Sequence, residues 1–138
     1  MKEKELIEKA IEAREFSYAP YSGFKVGAAL EGADGEIYQG CNIENAAYTP
    51  CNCAERTALF KAVSEGKRKF KKVAVVGWSA QEEKAKDYCP PCGVCRQVLR
   101  EFVNPKEFQI VVAKDIVDYK VYTLEELLPE SFGPENLK

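Results

Sequence analysis

Two short cysteine-bearing stretches, each at the mouth of a helical pattern, restrict this chain more than any other feature. They are Pro50-Cys51-Asn52-Cys53-Ala54-Glu55-Arg56 and Pro90-Pro91-Cys92-Gly93-Val94-Cys95-Arg96. Beyond the first, Ala58, Leu59, Ala62 and Val63 fall on one face; beyond the second, Val98, Leu99, Phe102 and Val103 do the same. Both sets follow the spacing of an amphipathic helix. Cys53, Cys92 and Cys95 are therefore expected to gather at two helix N-termini, where unpaired N–H groups and the helix dipole favour thiolates. Three thiolates close together repel one another unless a cation lies between them. Zinc is the expected cation, being soft enough for sulfur and inert to redox chemistry.

A structural zinc site closes with four protein ligands, whereas a catalytic one uses three and keeps a position open. Cys92-x2-Cys95 with Cys53 supplies three. Glu55 stands two residues beyond Cys53, in the first helical turn, where a carboxylate can take a proton from an activated water and pass it on. Two alternatives stay open on spacing alone. Cys51 as a fourth sulfur would make a closed structural site without enzymatic activity, and Cys89 could compete through Cys89-x2-Cys92-x2-Cys95. Cys41 reads as a small buried thiol.

Cys53-Ala54-Glu55 followed by Pro91-Cys92-Gly93-Val94-Cys95-Arg96 resembles the paired motif of the cytidine deaminase family. The stretches 18–29 (YAPYSGFKVGAA) and 40–48 (GCNIENAAY) are similar to that family's nucleoside-binding segments, and 124–132 is similar to its tail, so nearly the whole chain is covered. The resemblance implies zinc, one per subunit, on Cys53, Cys92 and Cys95, with Glu55 as the proton shuttle. It further implies that Phe24 packs on the pyrimidine, that Asn42 and Glu44 hold ribose hydroxyls, and that Ala54 contacts substrate. Ala46 and Tyr48 lie in the matching stretch, and Arg56 is implied as a hydrogen-bond donor to the sulfurs. Family members of this size are generally homotetramers, and Phe132 resembles a residue that completes a neighbouring subunit's site. The implied activity is hydrolytic deamination of cytidine and deoxycytidine to uridine and deoxyuridine, a step of pyrimidine salvage.

Spacing alone says less about these positions. A lone phenylalanine such as Phe24 is more often core, and Asn42-Ile43-Glu44 is more often a solvated strand end, although alternation would place Asn42 and Glu44 on one face. Three thiolates leave a zinc centre with a formal charge of about −1. Arg56 or Arg96 could offset it by hydrogen-bonding sulfur.

Composition narrows the partners. At 138 residues the chain is expected to be one domain, 1–138. A net charge of −2 and a pI near 5.4 give no electrostatic reason to expect nucleic acid. The one basic run, 67–72, reads as a solvated connection at a helix C-terminus. The charged start carries no apolar signal region, and no apolar stretch approaches a bilayer span, so a cytoplasmic protein free of the membrane is expected. Polynucleotide editing fits poorly for the same electrostatic reason; a nucleoside antibiotic or free cytosine remains a rival substrate.

The expected element order is a helix over 4–16, hairpin strands over 26–30 and 37–41, a helix from 54 to near Gly66, and a buried strand over 73–78. A polar loop or short helix over 79–88 follows, then the second cysteine helix, strands over 108–113 and 120–122, and a brief helix opened by the capping box at Thr123 and stopped by Pro129. This predicts an α/β fold: three layers, a mixed sheet of about five strands and helices on both faces.

Overall fold

The structure is a computed structural model and describes residues 2–138. Five strands form one sheet in the order β2-β1-β3-β4-β5. They are β1 (Phe24–Gly32), β2 (Ile37–Cys41), β3 (Phe70–Ser79), β4 (Gln109–Ala113) and β5 (Tyr119–Thr123). Only β3 and β4 pair in parallel; β1 is antiparallel to β2 and β3, and β4 to β5.

The strand alternation sorts side chains into two cores. Ala29, Ala74, Val76 and Val111 face α1 (Glu3–Arg14), whose Leu6, Ile7 and Ala10 are wholly buried. Ala28, Leu30, Val73, Val75 and Ile110 face the opposite layer. That layer holds α2 (Ala54–Ser64), α3 (Gly93–Arg100) and α4 (Leu124–Leu127). The result is the expected three-layer mixed sheet. Two glycines allow the layers to close: a Cβ on Gly27 would lie 2.0 Å from the Ala10 carbonyl oxygen, and one on Gly40 2.4 Å from that of Ala54. The second contact sets the N-terminus of α2 directly on β2.

Several boundaries differ from expectation because long-range pairing overrides local pattern. β1 starts at Phe24, since Phe24 pairs with Ser79 at the far end of β3. β2 stops at Cys41, so Asn42 and Glu44 lie beyond it; between them Ile43 makes single bridges to Tyr18 and Asn52. The basic run is only half a connection, because 70–72 opens β3 and Lys72 reaches Glu3 at 3.1 Å. Residues 80–91 form an irregular loop with no helix. Gly66, at φ +92°, ends α2 in the left-handed conformation that glycine tolerates, and the Thr123–Glu126 capping box opens α4.

Candidate active site

The two cysteine stretches meet at the ends of α2 and α3. Cys53 is the N-cap of α2 and Cys92 the N-cap of α3, with Cys95 in the first turn of α3. The three sulfurs lie within 4.8 Å of one another, and Cys53 and Cys92 are 3.7 Å apart. Tetrahedral zinc with bonds of about 2.3 Å separates its sulfurs by about 3.8 Å, so the donor set and its spacing fit that ion. The backbone N–H of Cys95 donates to the Cys92 sulfur at 3.4 Å, as expected of a thiolate at a helix mouth.

Charge behaves accordingly. Hydrogen bonding from Cys95, with help from Arg56 and Cys92, brings the Cys53 thiol down to about 5, while its thiolate pushes Cys95 up. Two sulfurs this close disfavour a second negative charge, and a divalent cation between them would relieve that. Arg56 Nη2 donates to the Cys53 sulfur at 3.4 Å, and that bond holds the guanidinium above its ordinary range. Arg96, the other candidate, does not touch sulfur. Its Nε donates to the Pro91 carbonyl at 2.8 Å and its Nη1 to that of Leu127 at 2.7 Å, tying the cysteine loop to α4.

Glu55 is the one carboxylate buried beside the cluster, at 4% exposure. Burial raises its carboxyl to about 7, with the Cys53 charge acting in the same direction. A carboxyl so placed exchanges a proton near neutral pH.

A pocket of ≈ 340 Å³ opens over this corner. Phe24, Asn42, Glu44, Ala54, Glu55 and Arg56 line it together with Cys53 and Cys92. Phe24 is 41% exposed, so it is no core residue: its ring is left uncovered at the start of β1. Ala54 stands at the first helical position of α2, where its backbone N–H has no helical partner. Asn42 staples the loop to β1: its Oδ1 accepts from the Val26 N–H at 2.9 Å and from the Ser17 hydroxyl, and its Nδ2 donates to the Phe24 carbonyl at 2.8 Å. One amide hydrogen is left for a ligand. Glu44 accepts from the N–H groups of Tyr21 (3.0 Å) and Ser22 (3.1 Å) and from the Ser22 hydroxyl, and that hydroxyl leads in holding it below the usual carboxylate range.

The remaining candidates lie outside this pocket. Tyr48 has φ +62° and meets Tyr21 edge-on at 6.3 Å, Ala46 is exposed nearby, and Phe132 is 57% exposed on the C-terminal tail. Cys51 lines the pocket but points to Asn45, whose N–H donates to its sulfur at 3.1 Å. Among the described residues, the metal-competent group is Cys53, Cys92 and Cys95, without Cys51 or Cys89. The four-sulfur alternative therefore has no geometric support. Sequence reasoning missed Ser17, Tyr21 and Ser22 as the partners that fix Asn42 and Glu44. Tyr21 and Ser22 lie in the stretch 18–29 that resembles a nucleoside-binding segment, and Ser17 carried no signal.

Residues 1–112 match the family described as the cytidine and deoxycytidylate deaminase zinc-binding region. The chain belongs to this family. It is 48% identical to a cytidine deaminase of Sporosarcina psychrophila over 97% of this chain and 93% of that one. A crystal structure of cytidine deaminase from Burkholderia pseudomallei superposes with a TM-score of 0.86 at 47% identity, covering 96% of this chain and all of the other. The cytidine deaminase structure from Mycobacterium tuberculosis gives 0.79 at 32% identity, over 96% and 98%. Zinc is thus the family's metal as well as the ion that the three sulfurs fit. Among the described residues no helix is long and apolar enough to cross a membrane.

Proposed function

We propose that the protein, acting as one domain, hydrolyses cytidine and deoxycytidine to uridine and deoxyuridine with release of ammonia. The observation that carries this reading is a buried carboxyl, Glu55, held beside three convergent sulfurs at the floor of a pocket with an exposed aromatic wall. When bound by Cys53, Cys92 and Cys95, zinc supplies the Lewis acidity that makes water a nucleophile near neutral pH.

The chain's own groups perform the rest. Glu55 takes a proton from the attacking water and delivers it to ring N3, which makes C4 electrophilic. A C4–O bond forms, Glu55 takes the proton of the new C4 hydroxyl and passes it to the exocyclic amino group, and the C4–N bond breaks as C4=O forms, releasing ammonia. Its carboxyl near 7 suits both directions of transfer. Phe24 packs on the pyrimidine, and the free N–H of Ala54 meets the base edge. Asn42 donates its remaining amide hydrogen, and Glu44, kept ionised by Tyr21 and Ser22, accepts from ribose hydroxyls. Arg56 offsets the surplus negative charge of three thiolates.

The reading includes a homotetramer whose sites are completed across subunits. The exposure of Phe132, Tyr48 and Phe60 supports it, as surface aromatics of this size suit burial by another copy. Truncation after Pro129 is expected to reduce cytidine turnover; full activity of the truncated chain would remove Phe132 from the site. The cytoplasm is the fitting compartment for a salvage reaction and for thiols that must stay reduced to bind metal, since Cys53 and Cys92 are close enough to oxidise elsewhere. The direct test is incubation of the zinc-loaded protein with cytidine, following the ultraviolet absorbance change. Conversion to uridine is expected; no conversion at full zinc occupancy would overturn the substrate assignment.

A further inference from the structure

Behind the Phe24 wall lies a second cavity of ≈ 290 Å³, lined in part by Gly77, Trp78 and Tyr88. Phe24, Cys89 and Pro90 line both this cavity and the substrate pocket, so they form the partition between them. The partition rests on Gly77 of β3. A Cβ built there would lie 2.9 Å from the Cys89 sulfur and 2.9 Å from Phe24 Cε2, with Cys89 Cβ at 3.2 Å. The thiol and the ring therefore occupy the space that any larger residue at 77 would claim. Cys89 is itself fixed from outside. The hydroxyl of the preceding Tyr88 donates to Asp118, and Lys114 and Lys120 stand over the Tyr88 ring at 4.7 and 4.6 Å from its centroid. The 80–91 loop is thus strapped to the β4–β5 connection and the start of β5, and cannot carry Cys89 away without breaking those contacts.

We propose that Cys89, seated over Gly77 beside the Phe24 ring, is a specificity-determining residue: it keeps Phe24 from retreating into the second cavity and so limits the size of the base. The inference rests on the nucleoside-deaminase reading above. It assigns Cys89 a purpose that metal binding does not give it, because its sulfur stands outside the three-sulfur cluster. Removing the sulfur lets the ring move back and joins the two spaces. The ligand class gained is a cytosine nucleoside carrying a bulky group on the pyrimidine.

The test compares kcat/KM for cytidine and 5-bromocytidine in the wild type, Cys89→Ala, Gly77→Ala and the double variant, with zinc content measured for each. Cys89→Ala is expected to raise the 5-bromocytidine-to-cytidine ratio by about tenfold, the order that a methylene-sized change in an apolar pocket supplies. Gly77→Ala should raise KM for cytidine by about tenfold through overpacking against Phe24, with a smaller change in kcat. Adding Cys89→Ala to it should recover part of that loss, since the methyl then takes the sulfur's space while its contact with Phe24 stays. All variants should keep wild-type zinc. An unchanged substrate ratio in Cys89→Ala, or strictly additive effects in the double variant, would overturn the proposal while leaving the deaminase reading intact. A wild type without cytidine turnover would instead overturn that reading, and this inference with it.

Discussion

The mouths of α2 and α3 share one architecture and differ in what they do with it. Both begin at a cysteine N-cap in extended backbone, Cys53 and Cys92, and both carry an arginine shortly after. At α2 the first turn buries Ala54 and Glu55, with Ala54 set on Gly40 of β2, and it brings Glu55 to the pocket and Arg56 onto sulfur. At α3 the turn contributes a second sulfur, Cys95, and no acid, while Arg96 faces away to bind the carbonyls of Pro91 and Leu127. On the proposed function, one mouth supplies the proton chemistry and the other holds the metal corner together. The acid at α2 makes the difference and burial tunes it: exclusion of water raises the Glu55 carboxyl toward neutral pH, where it can exchange a proton.

That contrast can be broken most severely at the holding mouth. Cys92→Ala removes one of three ligands, so bound zinc and cytidine turnover should both fall to background, with lower thermal stability because metal binding and folding are coupled. Metal analysis of the purified variant checks it, and stoichiometric zinc would remove Cys92 from the ligand set. A smaller effect should distinguish the arginines. Arg56→Ala is expected to cost about 10- to 100-fold in metal affinity or activity, the range for losing a partner that hydrogen-bonds a metal ligand. Arg96→Ala should lower the melting temperature, with a milder effect on kcat, since its partners are backbone carbonyls. Chelator competition beside thermal melts separates the two, and equal metal affinities would erase the distinction drawn here.

The chemical corner was legible in the sequence because its parts are local. N-cap position, Cys-x2-Cys spacing and the two-residue step from Cys53 to Glu55 are all properties of single helical turns, and each was expected before the fold was known. The order of elements was legible for the same reason. What escaped depends on residues far apart in the chain. Phe24 lies in a strand because Ser79 pairs with it, a partner 55 positions away that its local spacing does not show. Asn42 and Glu44 are fixed by Ser17, Tyr21 and Ser22, a turn whose role appears only once 42–44 folds beside it. The choice between Arg56 and Arg96 is likewise tertiary: both sit near a ligand in sequence, yet only Arg56 reaches sulfur. Residues 67–72 read as a solvated linker because the pairing of 70–72 with β1 has no local signature.

We propose that Glu55 moves the proton and does not hold the metal. Its most direct test is a side-by-side assay of the wild type and Glu55→Ala, following cytidine conversion by ultraviolet absorbance with zinc measured in both samples. Full zinc is expected in the variant with a rate lower by about 100- to 10,000-fold, the usual contribution of a general acid–base. A zinc-loaded Glu55→Ala protein that converts cytidine at the wild-type rate would contradict it.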